Sequence, residues 1–140
     1  MIHFQEVSKD QIWQIRHEVM YPDAPFESIK LSEDENGLHL GLIEDSKLIS
    51  IVSVFEDGNS LQFRKFATLN AYQGKGYGSK LLSYIIELAQ TRNAESLWCN
   101  ARVNATGFYR KFGFEETDSR FSKDGYDFVV MTLNFKSPNQ

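Results

Sequence analysis

The chain has little of what crosslinks a protein, binds metals or crosses a membrane. It has one cysteine, Cys99, so no internal disulfide forms. Its three histidines are scattered, and neither of the metal-binding spacings H-E-x-x-H and C-x-x-C occurs. No apolar run approaches the about 18 residues of a membrane span, and the N-terminus lacks a basic stretch followed by an apolar one. These absences predict a cytoplasmic protein with no metal and no membrane partner.

The chain does contain enough apolar material for one folded unit. Of its 140 residues, 41% are hydrophobic and 14% are aromatic, a composition that argues against disorder. No repeat, low-complexity tract or linker interrupts it, so we expect a single domain over residues 1–140. The acidic balance, with a pI near 5.4, argues against a nucleic-acid partner.

Strand and helix patterns follow one another in an order that predicts an α/β (α+β mixed) fold. After a strand at His3–Val7, Ser8 and Gln11 form a capping box that opens the first helix. Further helices are predicted from Ser79 and over Ala105–Phe112, with one more helical turn in the loop 23–36. Alternating apolar residues and turn signals predict six more strands, at 38–44, 48–55, 61–69, 97–103, 115–121 and 126–135. We therefore expect about seven mostly antiparallel strands, with the fourth and fifth parallel, and about four helices.

Positive charge is concentrated in the middle of this acidic chain. Residues 1–60 carry a net charge of −8, residues 61–113 carry +6, and residues 114–140 carry −2. The basic stretch surrounds the one glycine-rich loop, so this region suits a polyanionic ligand. The expected contributors are Lys75, Lys80, Arg110 and Lys111.

The glycine-rich loop Gln73-Gly74-Lys75-Gly76-Tyr77-Gly78 lies between a predicted strand and a predicted helix. Its three glycines can bring backbone N–H groups close to an anion, and the helix adds the positive end of its dipole. The spacing is Q-x-x-G-x-G, which differs from the dinucleotide fingerprint G-x-G-x-x-G and from the Walker loop G-x-x-x-x-G-K-[ST]. The loop therefore predicts a phosphorylated ligand and disfavours a nucleotide-binding domain of either kind.

A second motif follows about one helix and one strand later. It runs Asn104-Ala105-Thr106-Gly107-Phe108-Tyr109-Arg110-Lys111-Phe112-Gly113-Phe114. In this order the two motifs resemble the acyl-CoA loop and the Asn, Tyr and Gly-Phe segment of the GNAT superfamily of N-acetyltransferases. The resemblance covers essentially the whole chain, and within the superfamily the segments 16–19 and 97–102 look like a subgroup of small, uncharacterised bacterial-type members. It implies a GNAT-like fold that uses acetyl-CoA (coenzyme A) as co-substrate.

The resemblance also implies which residues bind the cofactor. Backbone groups at the end of the fourth strand would pair with the pantetheine arm as though it were another strand, and one N–H would polarise the thioester carbonyl. The loop would hold the pyrophosphate, with Gln73 where the family more often has Arg. The alternative role of Asn104 is that of a helix cap or turn residue, and the alternative role of Phe108 is packing within its own helix. The implied cofactor-binding residues are Phe66, Ala67, Thr68, Gln73, Gly74, Lys75, Gly76, Tyr77, Gly78, Ser79, Asn104, Phe108 and Lys111.

Tyr109 is the implied catalytic residue, because family members with this motif use the tyrosine hydroxyl to donate to the sulfur of departing CoA. A free phenol has a pKa near 10 and a thiol near 8.5, so full proton transfer is uphill by about 2 kcal/mol in water. The expected role is therefore a hydrogen bond that stabilises the thiolate. The alternative is that Tyr109 only half-buries its ring beside Phe108.

The general base and the acceptor contacts stay open at the level of sequence. Relatives often carry a Glu on the fourth strand, and this chain has no acid between Leu61 and Thr68. The candidates for the base are His17, His39, Glu56 and Asp127. The candidates for contact with the acceptor are Arg64, which can hold a carboxylate, together with His39 and Asp127.

The sequence predicts an acetyl-CoA-dependent N-acetyltransferase that acetylates a primary amine by direct attack in a ternary complex. The expected partner is a small-molecule amine or a protein amino group, and a homodimer stays open. The charge of −8 on residues 1–60 predicts cationic acceptors, although Arg64 and Lys65 reverse the local sign. The alternative is a non-catalytic acyl-CoA-binding or sensing module of the same fold.

Overall fold

The computed structural model describes residues 1–135, which form seven strands and three α-helices. In chain order these are β1 Ile2–Glu6, α1 Lys9–Ile15, β2 Leu38–Glu44, β3 Lys47–Asp57, β4 Ser60–Thr68, α2 Tyr77–Thr91, β5 Ser96–Arg102, α3 Thr106–Arg110, β6 Glu115–Lys123 and β7 Tyr126–Asn134. The strands make one sheet in the order β1-β2-β3-β4-β5-β7-β6. Strands β4 and β5 are parallel, and the pairs β1–β2, β2–β3, β5–β7 and β6–β7 are antiparallel.

The predicted seven strands and the parallel β4–β5 pair are confirmed, whereas the prediction of about four helices is wrong. Within residues 1–135 the loop between α1 and β2 forms two 3₁₀ turns, Phe26–Ile29 and Ser32–Asn36, instead of a further α-helix. Lys30 and Leu31 between them are extended, with ψ of 138° and 140°, and this conformation interrupts any continuous helix.

The first helix begins as predicted and ends in an unusual turn. The side chain of Ser8 accepts from the N–H of Gln11, and the side chain of Gln11 accepts from the N–H of Ser8, so the capping box is present. After α1 the chain continues as a π-helical turn, Arg16–Met20, which closes with the N–H of Tyr21 donating to the carbonyl of Arg16. Such wider turns occur mostly as single turns and often at functional sites.

Helix α2 begins at Tyr77, two residues before the predicted start. Its 15 residues place Leu81, Leu82, Ile85 and Ala89 in the interior, on the face that the helical spacing predicts. Gly78 therefore lies in the first helical turn and not in the loop before it. No helix within residues 1–135 is long and apolar enough to cross a membrane.

The described residues group into two compact units. The first unit comprises Met1–Phe55 and Phe63–Ile85, and the second comprises Glu56–Gln62 and Ile86 with the described residues after it. A core cluster of the first unit consists of Val7, Ile12, Ile15, Ile51 and Ala67. Buried residues of β5 and β7 in the second unit are Leu97, Cys99, Ala101, Val129 and Met131. The glycine loop thus belongs to the first unit and the second motif to the second, while the single domain stays a prediction.

Candidate functional site

Two residues of the glycine loop in the first unit have backbone conformations that favour glycine. Gly74 and Gly76 have φ angles of +76° and +88°, in the region that side chains rarely adopt. A Cβ at Gly78 would instead lie 3.6 Å from the ring of Phe66, an ordinary contact. The first N–H groups of a helix have no intrahelical acceptor, so the start of α2 offers donors and the positive end of its dipole to an anion.

Gln73 connects the glycine loop to the end of β4. Its side-chain amide donates to the carbonyl of Thr68 at 2.9 Å and to the side chain of Asn70 at 3.1 Å. The hydroxyl of Ser50 donates to the carbonyl of Ala67 at 3.1 Å. The carbonyl groups of Ala67 and Thr68, both predicted to face the pantetheine arm, thus already have protein donors.

Two lysines flank an aromatic ring next to the loop. The ammonium groups of Lys47 and Lys75 lie 5.3 Å and 5.9 Å from the ring centroid of Tyr72, which also contacts the ring of Tyr77 edge-on at 5.7 Å. The hydroxyl of Tyr77 donates to Glu44 at 2.7 Å, and this hydrogen bond raises the pKa of Tyr77. Lys75 was among the predicted residues. Lys47 was not, and the only sequence signal was its place after the turn between β2 and β3.

In the second unit Tyr109 lies in α3 among other aromatic rings. Its ring contacts those of Phe108 at 5.2 Å and Phe114 at 5.8 Å between centroids. Burial raises the pKa of Tyr109 above its usual value, and the nearby Cys99 adds to the increase. Burial likewise raises the pKa of Cys99 to about 12, so this thiol stays protonated and is part of the core. Tyr109 is therefore a phenol that keeps its proton at every pH at which proteins normally work.

The other predicted residues of the second unit lie near the surface. Asn104 is exposed in a 3₁₀ turn before α3, and Lys111 is exposed just after that helix. Phe108 is half-buried and contacts Phe112 at 5.5 Å. Asp127 is exposed on β7, where its carboxylate accepts from Ser122 at 2.6 Å.

A buried ion pair that was not predicted joins the end of α1 to the loop before β2. Arg16 is completely buried, and its two terminal nitrogens donate to the two carboxylate oxygens of Asp34 at 2.7 Å and 2.9 Å. They also donate to the hydroxyl of Ser53 at 2.9 Å and the carbonyl of Ile29 at 3.3 Å. The sequence signal was a charged residue four positions after Ile12, on the apolar face of the first helix.

The ionised form of Asp34 is strongly favoured. Burial alone would raise the pKa of Asp34, but hydrogen bonds from Arg16, from the indole of Trp13 and from the N–H of Leu31, together with the charge of Arg16, outweigh it. The net effect lowers the pKa of Asp34 from 3.8 to about 2.

The contribution of Asp34 to stability should be lost only in strong acid. Because the pKa of Asp34 is lower in the folded chain than in the unfolded chain, its contribution is complete above the unfolded value of 3.8 and declines as the pH falls through about 2. The difference corresponds to about 2 kcal/mol. Urea unfolding of the wild type and of Asp34→Asn between pH 6 and pH 2 should show this component only in the wild type. Glu35→Gln, which changes an exposed carboxylate beside Asp34, serves as the control, and equal acid dependence of wild type and Asp34→Asn would contradict the assignment.

His39 belongs to the same buried network. It is 5% exposed, and its two ring nitrogens lie 2.8 Å from the hydroxyl of Ser53 and 2.9 Å from the carbonyl of Asp34. The carbonyl can only accept, so the nitrogen facing it carries a proton and donates to the carbonyl, while the other nitrogen shares a hydrogen bond with the hydroxyl of Ser53. Both ring positions are thus engaged inside the protein, which favours a structural role over contact with a substrate.

The remaining candidates are more accessible. His17 lies 2.8 Å from the carbonyl of Ala24, within the loop after α1. Glu56 is exposed at the end of β3. Arg64 on β4 is partly exposed and lies 3.6 Å from a carboxylate oxygen of Glu33. Within residues 1–135 no three His, Cys, Asp or Glu side chains are grouped to hold a metal ion.

Comparison with known proteins places this geometry among acetyltransferases. The model of the family described as acetyltransferase (GNAT) domain matches residues 4–135. The chain is 30% identical to the uncharacterized N-acetyltransferase YitI of Bacillus subtilis, over 89% of this chain and 90% of YitI. It is 27% identical to the [ribosomal protein bS18]-alanine N-acetyltransferase of Haemophilus influenzae, over 79% of this chain and 77% of that protein. The crystal structure of a GNAT family acetyltransferase from Elizabethkingia anophelis with acetyl-CoA bound superposes with a TM-score of 0.75 at 16% identity, covering 96% of this chain and 98% of that one.

Proposed function

Because the chain belongs to the acetyltransferase (GNAT) family and is therefore an acyltransferase, we propose that it transfers an acetyl group from acetyl-CoA to a primary amine by direct attack in a ternary complex. The observation that carries this proposal is the glycine loop at the start of α2. There Gly74 and Gly76 have positive φ angles and nothing within 4 Å of where a Cβ would lie, which would let an anion approach the backbone. The bound acetyl-CoA of a structural neighbour supports the choice of cofactor.

The proposed cofactor contacts follow the backbone of the first unit. The loop from Gln73 to Gly76 and the first turn of α2, with Tyr77, Gly78 and Ser79, would hold the pyrophosphate. Lys75 and Lys47 add positive charge beside it. Phe66, Ala67 and Thr68 would pair with the pantetheine arm through their remaining backbone groups. In the second unit, Asn104, Phe108 and Lys111 stay proposed contacts on the strength of the family motif.

The chemistry proposed for the second unit depends on Tyr109. The amine nitrogen attacks the thioester carbonyl carbon, the C–S bond breaks, and the electron pair leaves on sulfur as a thiolate. A protonated phenol can donate a hydrogen bond to that thiolate, and the raised pKa of Tyr109 keeps the phenol protonated. The proton lost by the amine passes to a base or to water, and Glu56, Asp127 and His17 stay candidates.

The acceptor is an amine of a small molecule or of a protein. A curated relative is an acetyltransferase for the alanine of ribosomal protein bS18, which supports a protein amino group as one alternative. A cytoplasmic location and a homodimer stay predictions.

Replacing Gly76 with alanine should weaken acetyl-CoA binding by about tenfold or more. Alanine at a φ of +88° is strained by roughly 1–2 kcal/mol, and relief of that strain turns the loop N–H groups away from the anion. Titration calorimetry with acetyl-CoA measures the change. Gly58→Ala is the matched control, because Gly58 also has a positive φ of +60° and open space around it, but lies in the turn between β3 and β4. Equal affinity of Gly76→Ala and wild type would remove the loop from the cofactor site.

Thiol release from acetyl-CoA in the presence of amines tests the function itself. The proposal requires release that depends on the amine and an acetylated amine detected by mass spectrometry. Tight binding of acetyl-CoA without release by any amine would instead favour the alternative, a sensing module of the same fold.

A further inference from the structure

Strand β4 contains a residue in a conformation that strands do not normally include. Lys65 has a φ of +57°, in the left-handed region, although it lies inside the strand. In a regular strand, residues 63 and 66 would point to opposite faces, yet the rings of Phe63 and Phe66 contact each other at 6.1 Å. The backbone at Lys65 therefore shifts the alternation by one residue, as a β-bulge does. Strained backbone of this kind clusters at functional sites, and here it lies inside a strand instead of in a turn.

The shift brings two consecutive cations to the segment that follows α1. Arg64 lies against Glu33, and the ammonium group of Lys65 donates to the hydroxyl of Tyr21 at 2.6 Å while lying 4.8 Å from the centroid of the same ring. Within residues 1–135, no carboxylate lies within 4.0 Å of the Lys65 ammonium. An ammonium group has three donors, and Tyr21 accepts one of them. Lys65 is thus a half-buried positive charge that has donors left for a ligand.

The acidic residues nearby do not supply the missing negative charge. The loop 23–36 has five carboxylates, and four of them have cationic partners elsewhere: Glu27 with Lys30, Glu33 with Arg64, Asp34 with Arg16, and Glu35 with Lys9. Most of the negative charge of this loop is therefore offset by these cations, and among the described residues Asp23 is the one of the five carboxylates without a cationic partner. The preference for cationic acceptors stays a prediction from the overall charge, which these local ion pairs weaken.

We propose that the ammonium group of Lys65 binds a carboxylate of the acceptor, and that the acceptor is a free α-amino acid. This inference rests on the proposed function, in which Phe66 contacts the acetyl-bearing arm of the cofactor. Lys65 directly precedes Phe66, so the segment of β4 that would pair with this arm also contains the cation. A carboxylate on the carbon that bears the amine can then contact Lys65 while the amine faces the thioester. Tyr21 holds the ammonium in place before the substrate arrives.

Matched acceptors that differ in one charge test the inference. Alanine, phenylalanine, lysine and glutamate are each compared with the corresponding α-carboxamide, and kcat/KM is measured by thiol release. A charge-assisted contact predicts a preference of about 10- to 100-fold for each free acid over its amide. The α-amino group of an amide titrates near 8, lower than that of a free amino acid, so the amide supplies more neutral amine and any preference for the acid stands against this bias.

Lys65→Met should abolish the preference, mainly by raising KM for the free acids, while kcat/KM for the amides stays nearly unchanged. Tyr21→Phe should reduce the preference only in part, because the ring and the ammonium remain. Lys30→Met is the matched control, since Lys30 also lies over an aromatic ring, 4.5 Å from Trp13, but is paired with Glu27, and it should keep the full preference. Thermal melting identifies any variant that fails to fold.

Several outcomes would overturn the inference. Loss of the preference in Arg64→Met but not in Lys65→Met would assign the carboxylate to Arg64. Faster turnover of amides and peptides than of free acids would point to a protein amino group. A preference confined to O-phosphoethanolamine over ethanolamine would replace the carboxylate by a phosphate. If no amine releases thiol, the proposed function fails, and the carboxylate contact of Lys65 is then tested by binding alone. Calorimetry compares N-acetylalanine with N-ethylacetamide, which lacks the carboxylate, on the CoA-loaded protein. Equal binding of the two compounds rejects the inference.

Discussion

Replacing Tyr109 with phenylalanine should lower kcat by about 100-fold and leave the affinity for acetyl-CoA nearly unchanged. The hydroxyl would act on sulfur only as the C–S bond breaks, so its loss is felt in the transition state and not in the bound ground state. Steady-state thiol release gives kcat, and calorimetry gives the affinity. Because its raised pKa keeps Tyr109 protonated, the wild type should show no loss of rate from this residue up to about pH 9.

Tyr126→Phe is the control for removal of a tyrosine hydroxyl. Tyr126 is 49% exposed at the start of β7, where Arg102 lies 4.0 Å from its ring centroid, and its variant should retain the kcat of the wild type. An unchanged kcat in Tyr109→Phe would leave Tyr109 as a packing residue beside Phe108 and Phe114.

Replacing Asp34 with leucine should lower the free energy of unfolding by about 3–5 kcal/mol, because it leaves the charge of Arg16 buried without its partner. The same change removes the acceptor for the indole of Trp13 and for the N–H of Leu31. For a chain of 140 residues this corresponds to a melting temperature lower by roughly 10 °C or more. Urea unfolding and thermal melting measure both quantities.

The double variant Arg16→Met/Asp34→Leu separates the ion pair from its surroundings. A buried pair can be replaced by apolar residues at little cost, so the double variant should recover most of the stability that Asp34→Leu alone loses. The part of the lost unfolding free energy that the double variant does not recover measures the hydrogen bonds that Asp34 accepts from Trp13 and Leu31. Additive effects of the two substitutions would show that the pair contributes nothing as a pair.

The strands could be predicted from the sequence because their signals are local. Apolar residues alternate along the start of Leu38–Glu44, and a turn follows in which Asp45 and Ser46 have positive φ. Gly113, with a φ of +96°, ends the helical segment after α3, as predicted. The glycine loop could also be predicted, because its glycines are close together in the sequence. The early start of α2 was not visible, because Gly78 reads as a loop residue although it occupies a helical turn.

The ion pair and the bulge could not be predicted, because each depends on segments distant in sequence. In the sequence Arg16 is a charged residue on the apolar face of a helix, and its partners Asp34 and Ser53 come from the loop and from β3 only in the folded chain. Lys65 continues the β pattern of its neighbours, and only the folded strand shows its left-handed backbone. Neither helix propensity nor strand alternation, which describe local sequence, can predict the ion pair or the bulge.

The contacts at Tyr21 and Ile29 have a consequence for how this enzyme can diversify. Residues 22–28 lie between Tyr21, which contacts Lys65, and Ile29, whose carbonyl accepts from Arg16, so this part of the chain can change in length and composition while both ends stay in place. The entropic cost of a longer loop grows only slowly with length, about 0.6 kcal/mol for each doubling. Libraries randomised within 22–28, with Tyr21, Ile29, Lys65, Arg16 and Asp34 retained, are therefore a starting point for altering the acceptor that the enzyme uses.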